Sequence, residues 1–101
     1  MKPEELLDLF SVDKMEDGGV MFRAYTWNLW KGMDGPHAIA EVCKVVHMPR
    51  PAVYARMKKA LAPVFEADPE TLKALGLRPQ KTTVGLAREL VKSMPGGMEH
   101  E

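Results

Sequence analysis

Four cations crowd the middle of this chain, Arg50, Arg56, Lys58 and Lys59, with Tyr54 among them and Lys44 and Lys31 upstream. Side chains of this kind neutralise phosphate or carboxylate groups, and an aromatic ring among them can stack or pack. The formal net charge is zero, and its distribution is uneven. Residues 1–19 set Lys2 and Lys14 against six acids, residues 20–65 set seven cations against Asp34 and Glu41, and the remainder is close to balanced. A basic stretch on an otherwise acidic chain makes a directional field instead of general stickiness.

Other reactive types offer less. Cys43 and His47 stand four apart, a helical spacing that could put two ligands on one metal, but no second ligand pair is spaced nearby, so packing is the expected role and no metal is expected. His37 reads as an exposed early-helix residue and His100 as part of a tail. The chain has no glycine-rich phosphate loop, no His-Glu-x-x-His and no Ser, His and Asp arrangement, so neither an enzyme nor a cofactor is expected. Trp27 and Trp30 read as core, and the eight methionines are scattered as gap fillers.

The elements that must hold these side chains are predicted to be helices. Pro3-Glu4-Glu5 followed by Leu6, Leu7, Leu9 and Phe10 predicts a short amphipathic helix to Ser11, and Asp17-Gly18-Gly19 a chain break. Val20 to Trp30, apolar nearly all round, suits a helix buried on several sides, with a strand as the competing reading. Gly32 to Pro36 is a turn in which Asp34 or Gly35 caps a helix carrying Ile39, Val42, Cys43, Val45 and Val46 inward. Pro49 and Pro51 bracket the next helix start, and that helix is expected to reach Ala62 and be closed by Pro63. Asp68-Pro69-Glu70 opens a short helix with Gly76 as its C′ residue, and Leu77 to Lys81 is a connector. A last helix runs from Thr82 or Thr83 to Met94, stopped by Pro95-Gly96-Gly97. Its apolar stripe of Val84, Ala87, Leu90, Val91 and Met94 can pack on its own domain or form a dimer interface.

From Ile39 to Leu61 the chain reads as helix, tight turn and second helix. On a wheel of the second helix Val53, Met57, Ala60 and Leu61 face inward, Pro51, Ala55, Lys58 and Lys59 outward, with Tyr54 at the edge. With Ile39 as position one of a twenty-residue unit, Cys43 is the small inward residue, His47 the turn residue, and Val42, Val46, Met48 and Val53 the apolar set that fixes the helix crossing. His47 stands where glycine is common, and histidine is among the residues that tolerate positive φ. Arg56 takes a usually apolar position, and Met57 can do that packing.

Met48-Pro-Arg-Pro-Ala-Val-Tyr-Ala-Arg-Met-Lys-Lys-Ala-Leu61 resembles the recognition-helix segment of helix-turn-helix transcriptional regulators of bacteria, phages and plasmids, over about a quarter of the chain. The resemblance implies an all-α, multi-helix domain with a central tri-helical core at 20–63, no wing, an acidic N-terminal helix within 1–19, C-terminal helices at 64–94 that can dimerise, and a tail at 95–101. It implies that Arg50, Pro51, Tyr54 and Ala55 approach base edges in the major groove, and that Lys44, Arg56, Lys58, Lys59 and Lys31 contact phosphates. A homodimeric repressor on a palindromic double-stranded DNA operator is the leading expectation. A DNA-packaging or recombination accessory and a protein-interaction adaptor stand as alternatives. With no secretory leader legible, no apolar membrane-length run and a single cysteine, a cytoplasmic location is expected.

Overall fold

A computed structural model describes residues 18–74, 78 and 80–93, and within them every regular element is a helix. They are α1 (Gly18–Trp30), α2 (Gly35–Val46), α3 (Arg50–Phe65), α4 (Pro69–Ala74) and α5 (Thr83–Ser93). The all-α expectation holds, and Val20 to Trp30 is helix, not strand. The N-terminal helix expected at Pro3 to Ser11, the Gly76 cap and the Pro95-Gly96-Gly97 stop lie outside the described residues.

α1 is the central element because its apolar residues face α2, α3 and α5 at once. Met21, Phe22, Tyr25 and Leu29 are buried along it, and Thr26, the one polar residue buried with them, satisfies its hydroxyl by donating to Phe22 O at 2.9 Å. Trp27 and Trp30 are half-buried against the same core and meet edge to face, ring centroids 5.2 Å apart.

Helix ends follow the local chemistry. α1 ends in a Schellman motif: Met33 N donates to Asn28 O and Gly32 N to Leu29 O, both at 3.0 Å, with Gly32 at φ 106°, where a side chain would be strained. α2 starts at Asp34, whose carboxylate accepts from His37 N at 2.8 Å while Pro36 fills the first turn, where no amide donor is needed. Asp68 caps α4 in the same way through Thr71 N at 2.8 Å, and Thr82 caps α5 through Gly85 N at 3.0 Å.

Three expectations are corrected. Gly18 and Gly19 do not break the chain but form the first turn of α1, because Gly18 lies where α1 touches the backbone of α3. Pro63 does not close α3, which continues to Phe65. Proline removes only one amide there, and Val64 and Phe65 still pack on the core, with Glu66 N bonded to Ala62 O at 3.0 Å. Val45 is not inward but 55% exposed, since the buried stripe of α2 is the narrow set Ala38, Ile39 and Val42, with Cys43 and Val46 at its border.

Candidate nucleic-acid interface

The candidate surface is built on the joint between α2 and α3. α2 ends at Val46, α3 begins at Arg50, and three residues turn the chain between them. A turn this short requires a left-handed residue, and His47 supplies it with φ 58° and ψ 47°, its amide donating to Cys43 O. Among the described residues it is the one non-glycine with positive φ. Met48 N returns to Cys43 O at 3.2 Å, closing the end of α2, and both Cys43 and Met48 pack against the core. Pro49 then occupies the N-cap of α3 without a side-chain hydrogen bond.

α3 is fixed by Val53, Met57 and Leu61, each 0% exposed and spaced four apart along its inner face. Ala60 is half-buried beside them. With that face held, Arg50, Pro51, Ala55, Arg56, Lys58 and Lys59 are all exposed, so the inward and outward sets stand as the apolar spacing requires. Arg50 Nη2 reaches Pro36 O at 3.4 Å, the long limit of hydrogen bonding, so the guanidinium rests along α2 and moves away at small cost. Lys44 is exposed in the last turn of α2, beside the turn. Lys31 is exposed at the opposite end of α2, after α1.

Tyr54 is half-buried and packed against the core, with one side on a groove toward α5. Its neighbour inside is Tyr25, whose hydroxyl is raised above the ordinary tyrosine range by burial, and further by Tyr54, against the opposing pull of Arg88. Tyr54 therefore anchors α3 as well as edging its outer face.

Other expected site residues are placed differently. Ala87, Leu90 and Val91 are at most 1% exposed, inside the core of the chain itself, and Val84 is half-buried. The α5 stripe is spent on α1 and α3, so these residues offer a second subunit almost no surface. Met94 lies outside the described residues. No group of three or more His, Cys, Asp or Glu side chains is assembled among the described residues. Within the same residues no helix is long and apolar enough to cross a membrane.

Reading along the sequence missed Lys81, Thr82 and Thr83, which the fold brings beside Tyr54 and Lys58. Their one local signal was a Lys-Thr-Thr run at the expected start of the last helix. Compared with protein-family models, curated proteins and solved structures, the chain matches none.

Proposed function

We propose that the protein binds double-stranded DNA through α2, the His47 turn and α3, with α3 as the recognition helix, and that it regulates transcription as a repressor of the phage or plasmid type. The observation that carries this reading is the left-handed His47 between two helices separated by three residues, with the basic side of the second helix turned to solvent. With Val53, Met57 and Leu61 inward, Pro51 and Ala55 stand on the outer side of α3, and Arg50 is exposed because it begins the helix.

In this reading Arg50, at the first turn of α3, pairs bidentately with a guanine, Ala55 meets a thymine methyl, and Pro51 and the edge of Tyr54 complete the base-facing surface. Lys44, Arg56, Lys58, Lys59 and Lys31 neutralise phosphates and fix register. Two copies on a palindromic operator belong to the same proposal, with the second copy held by a surface other than the α5 stripe. A cytoplasmic location goes with it.

Fluorescence anisotropy with duplexes selected from a random pool tests the assignment. The protein is expected to enrich a sequence, to lose affinity steeply with salt, and on Arg50→Ala to lose roughly 5- to 150-fold in affinity for that sequence, the range for one bidentate base contact. Lack of duplex retention at low salt, or unchanged discrimination after Arg50→Ala, would sink it.

A further inference from the structure

A groove of about 150 Å³ runs between α1 and α2. Met21, Ala24 and Asn28 line it from α1, and Val42, Val45 and Val46 from α2, with the exposed Glu41 beside them. Both sets recur at helical spacing, so each helix gives the groove one face, an arrangement into which a further helix packs. Asn28 Nδ2 donates to Ala38 O at 3.4 Å, and apart from Asn28 and Glu41 the lining is apolar. Val45, at 55%, is the large apolar side chain left exposed among the described residues. Ala38, Ile39 and Val42 already bury α2 against the core, so Val45 adds nothing to that contact.

The sequence supplies an occupant close by. α1 begins at Gly18, less than one turn before Met21, so residues 1–17 join the fold at one end of the groove. Leu6, Leu9 and Phe10 stand at i, i+3 and i+4, the anchor spacing of a helix laid in a groove, while Glu4, Glu5 and Asp8 fall on the other side of the wheel. Residues 11–17 reach at most about 25 Å, against about 10 Å along α1 from Met21 to Asn28, so the tether covers the whole groove. A cavity of this volume takes a benzene-sized ring, and Phe10 is the one aromatic residue in the segment. A second copy suits the groove less well. One exposed valine falls far short of the roughly 800 Å² that each partner gives a stable interface, whereas a tethered segment, at an effective concentration on the order of millimolar, needs little area.

We propose that residues 6–10 of the same chain dock in the α1–α2 groove, Phe10 filling it and Leu6 and Leu9 covering Val45, with Glu4, Glu5 and Asp8 in solvent. The inference is independent of the DNA reading. Docking there adds apolar burial to α2, whose own buried stripe is narrow.

The test uses the full chain. In NMR spectra the Phe10 ring is expected to contact the Val45 and Val42 methyls at both ends of a wide concentration range. A cation in the last turn of a helix is favourable, and lysine has better helix propensity than valine, so on an uncovered surface Val45→Lys would hold or raise Tm. With the groove occupied, Val45→Lys is expected to lower Tm by roughly 4–8 °C, and Phe10→Ala by a similar amount. The double variant is expected to lose clearly less than the sum, because the two side chains share one contact. Lack of the ring-to-methyl contacts overturns the docking, as does a Tm held or raised in Val45→Lys. Contacts that fade on dilution overturn docking within one chain in favour of the segment of a second copy. Additive losses overturn the pairing of Phe10 with Val45.

Discussion

Gly18 at the start of α1 lies directly against the carbonyl of Arg56 in the middle of α3. A Cβ added to Gly18 would collide with that carbonyl oxygen and stand 3.1 Å from Cβ of Ala60. α3 is thus gripped by backbone contact at Arg56 and Ala60. The obstacle is main chain and cannot swing aside as a long side chain would. Gly18→Ala is expected to cost about 1–3 kcal/mol, the range for overpacking a tight contact, and to lower Tm by roughly 5–20 °C in a domain of this size. A thermal melt by circular dichroism checks it, and an unchanged Tm would mean that α1 and α3 do not touch there.

His47 holds a conformation that glycine adopts freely. A left-handed L-residue costs about 1–2 kcal/mol, partly offset by the greater backbone entropy that glycine loses on folding. His47→Gly is therefore expected to raise stability by about 0.5–1 kcal/mol, and His47→Val to lower it by at least as much, because a β-branched residue fits positive φ worst. Chemical denaturation of the two variants measures the difference. The opposite order would show that the imidazole itself holds the turn together.

Reading the sequence worked where the determinants are local. The Asp34 and Asp68 caps, the turn at His47 and the inward set Val53, Met57 and Leu61 depend on neighbours within one or two helical turns, and all were legible. Gly18 and Gly19 were misread because glycine signals both a break and a close helix crossing, and only the distant Arg56 decides between them. Pro63 was misread because the apolar packing of Val64 and Phe65 outweighs one missing amide bond. Val45 shows that spacing places a buried stripe without setting its width. The groove at Thr83 was invisible because it forms only when α3 and α5 meet.

The two capping carboxylates make stability depend on acidity. Asp34 is held below the ordinary aspartate range chiefly by the backbone hydrogen bond from His37, and Asp68 by that from Thr71. A carboxyl that is more acidic folded than unfolded stabilises the fold fully above its unfolded pKa and loses that contribution as pH falls through its folded pKa. Tm is therefore expected to hold near neutrality and to decline once pH drops below the unfolded aspartate value. Asn caps a helix without titrating, so Asp34→Asn together with Asp68→Asn should flatten this acid limb while preserving the fold. An identical acid decline in the double variant would assign it to other carboxylates.

The α5 stripe yields a prediction about assembly. Leu90 is 0% exposed and packs in the core with Ala87 and Val91, against α1 and α3. Truncating a side chain buried within one chain destabilises that chain, whereas truncating one shared between subunits weakens association and makes the loss depend on concentration. Leu90→Ala is expected to lower unfolding free energy by about 2–5 kcal/mol, equally in dilute and concentrated samples. Denaturation across a hundredfold range of protein concentration, with sedimentation velocity on the same samples, separates the cases. A loss of stability that appears only on dilution, with a shift to a smaller species, would return the stripe to a subunit interface.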